Sequence, residues 1–188
     1  MSHLERGEPR HLVLIGMMGV GKSSVGRSLA SRLGRPFVDV DRLVEKRAGK
    51  TVAEIFAADG EPAFRALESE TVREVLDSGV WAVVAFGGGA VLDPANRRVA
   101  RETALVVWLQ APAEELARRV MSSQRRSGAA RPLLASDEPA ETVLDGLARQ
   151  REEAYRATAH VVVDTAGRTP GQVARAVLAA TGWDAGSR

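Results

Sequence analysis

Apolar residues run along this chain in two rhythms. Five short runs are apolar, or nearly so, at consecutive positions: 11–15, 36–39, 82–86, 105–109 and 161–164. Such runs suit strands covered on both faces, the mark of a parallel sheet. Between them apolar residues recur three or four apart, which predicts helices. The first spans about 22–33, with Gly34 as its stop. A capping box, Thr51-Val-Ala-Glu54, opens another, which Gly60 breaks, and a longer helix follows over about 61–77. Asp93-Pro94 caps the next, Pro112 starts one running to about 121, and 138–158 is helical again. Thr169-Pro170 caps a last helix to about 181. Strands alternating with helices imply an α/β fold of three layers, α/β/α, with a central five-stranded parallel sheet.

Ligands in such sheets bind beyond the carboxyl ends of the strands, so the residues at those ends matter most. After the first strand stands Gly16-Met17-Met18-Gly19-Val20-Gly21-Lys22-Ser23. This is the P-loop spacing in its strand–loop–helix setting. Glycines let successive N–H groups face an anion, and the helix that follows adds its positive end. Gly19, Val20, Gly21, Lys22, Ser23 and Ser24 are the expected cradle for a nucleotide's phosphates. Lys22 can reach the β- and γ-phosphates, and the Ser23 hydroxyl can hold Mg²⁺.

Composition narrows the classes. A length of 188 residues suits one domain, 1–188, with loose ends at about 1–10 and 184–188. The formal charge of +2 is too small to argue for nucleic acid. There is no cysteine, which removes thiolate chemistry and fits a reducing cytoplasm. No run approaches the ~18 apolar residues of a membrane span, so no membrane partner is expected. Residues 122–137 are rich in Arg, Ser and Gly with little apolar period, and read as a mobile lid.

Other candidates each carry a plainer reading. Asp39 and Asp41 follow a strand, and strand alternation would point them the same way, toward Mg²⁺ and an acceptor hydroxyl. They could equally be turn or capping aspartates. Arg65 and Glu68 are three apart, the spacing of an ordinary helical surface pair. Gly87-Gly88-Gly89 offers close approach to main chain, or simply a flexible turn. Arg131, like Arg125 and Arg126, is either a lid arginine for moving phosphate charge or a solvated loop charge. Arg151 can clamp a carboxylate bidentately, or pack over Tyr155 on the surface. The histidines, His3, His11 and His160, offer little for catalysis.

As an ordered set these motifs resemble shikimate kinase, over about 12–178. The resemblance rests on the P-loop, Asp39-x-Asp41, Glu54-Ile-Phe-Ala, Gly60-Glu61, Phe64-Arg65, Glu68, Gly87-Gly-Gly-Ala-Val, Arg131-Pro-Leu-Leu, Arg151 with Tyr155, and Arg168-Thr-Pro170. It implies transfer of the ATP γ-phosphate to the 3-hydroxyl of shikimate, in aromatic amino-acid biosynthesis, by a P-loop kinase that is a cytoplasmic monomer. By position Ser23 and Asp39 match the metal side, Mg²⁺ with ATP. Asp41, Arg65, Gly87, Gly88, Gly89 and Arg151 match the shikimate pocket. Arg168 and Pro170 match the adenine-side loop, and Lys22, Asp41 and Arg131 the catalytic groups. An adenine-stacking lid arginine should lie several residues before Arg131, where Gln124, Arg125 and Arg126 fall. A gluconate kinase would share the ATP half and a carboxylate-binding arginine. A slow nucleotide switch would need no acceptor pocket.

Arg131→Ala should lower turnover by about 10³-fold or more while shikimate affinity changes little. Steady-state kinetics decide this, and a catalytic constant within a few-fold of wild type would remove the lid role.

Overall fold

The structure, a computed structural model, describes residues 11–127, 134 and 138–183. Arg131 and the expected loose ends lie outside these. Strands β1 (His11–Ile15), β2 (Phe37–Asp39), β3 (Val83–Ala85), β4 (Ala104–Gln110) and β5 (Val161–Asp164) form one sheet in the order β2-β3-β1-β4-β5. Every neighbouring pair is parallel, and Val13 lies opposite Val84 on one side and Val106 on the other. The continuous apolar runs explain this arrangement. Leu12 to Ile15 are all fully buried, with successive side chains entering opposite layers.

The helices are α1 (Lys22–Leu33), α2 (Val40–Ala48), α3 (Val52–Asp77), α4 (Pro94–Thr103), α5 (Ala113–Ser127), α6 (Ala140–Thr158) and α7 (Pro170–Thr181). Helix α1 packs on β3, whereas α4 packs against both α3 and α6. The last helix, α7, returns to pack on α1. The three-layer α/β architecture expected from the chain is therefore present. No helix among the described residues is long and apolar enough to cross a membrane.

Local chemistry sets the helix ends. Thr51 Oγ1 accepts from Glu54 N at 3.2 Å and Glu54 Oε2 accepts from Thr51 N at 2.7 Å, the reciprocal box expected there. Asp93 caps α4 by accepting from Ala95 N at 2.8 Å. Inside α3, Gly60 has φ 83° and ψ 167°, so the helix is broken where the sequence places a break.

Two expectations need correction. Asp39 and Asp41 do not both project from a strand. Asp39 ends β2 as an extended residue, and Asp41 lies in the first turn of α2. That helix forms because Val40 and Val44, four apart, are both buried, and a carboxylate in its first turn meets the helix's positive end. The second correction concerns 122–127, which continues α5 instead of opening the excursion. Gln and Arg are good helix formers, and no glycine or proline interrupts until Gly128.

Gly26, on the buried face of α1, touches β2. A Cβ there would meet the Phe37 ring, with Phe37 Cδ2 at 2.9 Å. A helical Gly→Ala change usually gains up to about 1 kcal/mol, but this clash should reverse the sign. Gly26→Ala should destabilise by about 1–3 kcal/mol, read as a lower midpoint in urea or thermal unfolding. A rise in the midpoint would show that the ring yields freely.

Candidate active site

A crevice of about 950 Å³ lies at the carboxyl ends of β1, β2 and β3. It gathers most of the predicted residues from separate elements: Gly19, Val20, Gly21, Lys22, Ser23, Ser24, Asp39, Asp41, Arg65, Gly88, Gly89, Arg151, Arg168 and Pro170.

The P-loop forms one end. Gly19 has φ 80°, and a Cβ there would press on Val120 Cγ2 at 2.7 Å and Leu116 O at 2.9 Å. Only glycine lets the loop lie this close to α5. Lys22 Nζ donates to the carbonyls of Gly16 at 2.7 Å and Met17 at 3.1 Å, which holds the ammonium over its own loop. Ser23 Oγ donates to Asp39 Oδ2 at 2.6 Å. Two hard oxygen donors beside a phosphate cradle fit a Mg²⁺ ion. No cluster of three or more His, Cys, Asp or Glu side chains among the described residues could hold an ion unaided.

The other end is built by helices α2, α3 and α6 around the loop after β3. Glu68 is only 1% exposed, and its Oε2 accepts from Arg65 Nη1 at 2.6 Å. The pair is therefore not the surface pair its spacing would allow. Arg65 also donates through Nε and Nη2 to Glu61 Oε1, at 3.1 and 2.9 Å. Arg151 is 3% exposed, and Tyr155, four residues on, is buried too. The Tyr155 hydroxyl donates to Gly88 O at 2.6 Å, and its ring stacks on Trp108 with centroids 5.4 Å apart. Burial pushes that phenol up to about 12.

The three glycines make room for these charges. A Cβ on Gly87 would collide with Glu68 Oε1 and lie 2.6 Å from Asp41 Oδ1. One on Gly88 would stand 3.4 Å from Arg151 Nη1, and one on Gly89 would meet the Arg65 guanidinium. Gly88 and Gly89 line the crevice, whereas Gly87 serves it from behind, through the space its missing side chain leaves.

Asp41 Oδ1, Glu68 Oε1 and Arg151 Nε are buried with no hydrogen-bond partner among the described residues. Orphaned polar atoms are rare in a folded interior, and here three share one pocket. Burial raises the pKa of Asp41, against the pull of Lys22 and with help from Asp39. Burial lifts Glu68 to about 7, opposed by Arg65.

At the P-loop end one residue escaped the sequence. Arg119 lines the crevice, as do Arg118 and Ser123, while Gln124 and Arg125 do not. The i,i+4 spacing of Glu115 and Arg119 was the available signal, but it is also that of any exposed helical pair.

A family model described as shikimate kinase matches residues 18–181. The chain belongs to the shikimate kinase family. Its activity is that family's, transfer of a phosphoryl group from ATP to shikimate. A shikimate kinase from Symbiobacterium thermophilum is 48% identical over 159 residues, covering 85% of this chain and 88% of that one. One from Caulobacter vibrioides is 48% identical over 170 residues, 90% of this chain and 80% of that one. The solved shikimate kinase of Acinetobacter baumannii in complex with shikimate superposes with a TM-score of 0.83. It is 35% identical and covers 92% of each chain.

The raised Glu68 pKa has a stability consequence with a definite sign. The folded value of about 7 lies above the ordinary 4.5, so the folded protein holds this proton more tightly. The benefit is full below the ordinary value and lost as pH rises through about 7. Glu68→Gln should therefore gain stability relative to wild type by about 1–3 kcal/mol between pH 5 and pH 8. Urea denaturation at the two pH values measures it, and a difference that shrinks with pH would reverse the assignment.

Proposed function

We propose that ATP lies over the P-loop end of the crevice and shikimate at the Asp41–Arg65–Arg151 end, and that the γ-phosphoryl passes to the 3-hydroxyl between them. The observation that carries this reading is the trio of buried, unpartnered atoms on Asp41, Glu68 and Arg151, three residues that line the same crevice as the P-loop. A small hydroxy acid supplies what those atoms lack: hydroxyl donors for the carboxylates and a carboxylate acceptor for the guanidinium.

Arg65 and Arg151 bind the acid's carboxylate through charge-assisted hydrogen bonds. Asp41 accepts from the reacting hydroxyl and takes its proton as the new O–P bond forms and the bond to the ADP oxygen breaks. Burial makes Asp41 more basic than a free carboxylate, which favours that transfer near neutral pH. Lys22 and the P-loop N–H groups stabilise charge spreading over the γ-phosphoryl oxygens. Ser23 and Asp39 would hold Mg²⁺, which when bound neutralises phosphate charge. Arg168 and Pro170 frame the adenine side, and Arg131, outside the described residues, is the arginine expected to neutralise charge on the moving phosphoryl group. The family's place in the shikimate pathway accounts for the choice of acceptor.

A coupled ADP-release assay across shikimate, gluconate, nucleoside monophosphates and water tests the acceptor. Turnover should require shikimate; equal rates with gluconate, or with water alone, would overturn the reading. In the same assay Arg65→Ala should raise the shikimate KM by about 10²-fold, from loss of a charge-assisted pair worth about 1.5–3 kcal/mol or more. The ATP KM should stay within twofold. Equal loss for both substrates would reject this division of the crevice.

A further inference from the structure

Arg119 spans the nucleotide end from side to side. Its Nη1 donates to Val20 O in the P-loop at 3.2 Å and to Thr165 Oγ1 at 3.0 Å. Its Nη2 donates to Thr165 O at 2.8 Å. Thr165 begins the loop from β5 to α7, which carries Arg168 and leads into Pro170 at the start of α7. That far anchor is rigid, because Thr165 is buried and bonds Gln110 O through both its N–H (2.8 Å) and its hydroxyl (3.0 Å). The guanidinium also bonds within its own helix, where Nε donates to Glu115 Oε1 at 2.8 Å.

Glu115 is a part-buried carboxylate, its side chain 19% exposed. It also accepts from Arg118 Nε at 3.0 Å and from Arg118 Nη2 at 2.7 Å. Hydrogen bonding from Arg118 holds its pKa below the ordinary carboxylate value, so it is ionised at any working pH. A guanidinium is a rigid planar fork, so fixing Nε fixes the direction of both terminal nitrogens. With that edge released, four rotatable bonds separate the fork from its helix, and its bonds to Val20 and Thr165 lose their preset direction.

We propose that Glu115 is a positioning residue for the nucleotide: its carboxylate holds Arg119 as a strap that sets the spacing between the phosphate loop and the β5–α7 loop. The inference rests on the reading that ATP lies at this end of the crevice. It places the effect in nucleotide binding and leaves the hydroxy-acid end untouched, since α2, α3 and α6 build that end.

Steady-state kinetics of the full chain with MgATP and shikimate test it. Glu115→Ala should raise the ATP KM about 5- to 20-fold, with kcat and the shikimate KM within twofold. Glu115→Gln keeps an acceptor oxygen and should recover most of the loss. Added to Arg119→Ala, the Glu115→Ala change should alter the ATP KM by less than twofold, because its effect runs through Arg119. An unchanged ATP KM in Glu115→Ala would overturn the proposal. So would equal losses for both substrates, or a full multiplicative loss in the Arg119→Ala background. Should Glu115→Ala fail to fold, Arg119→Lys carries the same test, since it keeps the charge and removes the fork. It should show the same ATP-selective loss, and an unchanged ATP KM would again reject the strap. Lys22→Ala separates two failures. If it weakens ADP binding in a titration while the Glu115 variants do not, the strap alone is wrong; if neither does, the placement of the nucleotide is wrong.

Discussion

Charge buried without a partner is the constraint that shapes this molecule. Burying a lone carboxylate or guanidinium costs several kcal/mol, so such groups enter an interior only in company. Here Asp41 comes from α2, Arg65 and Glu68 from α3, and Arg151 from α6. Two cations and two anions meet under one loop. They fit because Gly87, Gly88 and Gly89 contribute no side chain to the space they occupy. The Arg65–Glu68 ion pair offsets part of the cost. What remains uncompensated is local: single atoms on Asp41, Glu68 and Arg151 that lack donors or acceptors among the described residues. The pocket is therefore preorganised and incomplete, the condition in which a ligand of matching polarity gains most.

The opposite end of the crevice obeys a different rule. The phosphate loop binds through main-chain N–H groups, which carry no net charge and need no counter-ion when empty. Its shape comes from glycines pressed against β4 and α5, and Lys22 is held by carbonyls of the same loop. The two ends meet at Asp39 and Asp41. One carboxylate turns to Ser23 and the other to the buried charges, because the chain changes from strand to helix between them. A continued strand would have sent both side chains to one face.

What was legible in the chain follows from how local each signal is. Buried parallel strands announce themselves as unbroken apolar runs. Thr51, Asp93 and Thr169 advertise helix starts through contacts within three residues, and the P-loop is a motif in eight consecutive positions. Burial of a charged residue is not local. Glu68 stands three residues from Arg65 whether the pair faces water or the core, and only the packing of α3 under the β3 loop decides it. The same holds for Arg119, whose partners Val20 and Thr165 lie 99 and 46 residues away. The start of α2 was obscure for a related reason. Asp-Val-Asp alternates polar and apolar, which suits a strand end as well as the first turn of a helix. The choice fell to Val44, which joins Val40 in the core only if the chain coils.

The division between a backbone-lined end and a side-chain-lined end also says where substrate choice must reside. Any P-loop kinase can hold a triphosphate by the means seen here, so that half carries no information about the acceptor. Guanidinium groups discriminate only for an anion, and many small hydroxy acids are anions. On the placement proposed above, the narrower filter is the pair of carboxylate oxygens at Gly87, which lack donors that a substrate hydroxyl can supply. A site built to pair with a hydroxyl rejects a molecule that lacks one far more strongly than an apolar pocket rejects a change of size, because its own buried groups are then left unpaired. By that argument the selectivity of the crevice depends less on Arg65 and Arg151 than on how rigidly α2 and α3 hold Asp41 and Glu68. A side chain at position 87 would displace both carboxylates, so on that placement the glycine supports selectivity through the space it leaves.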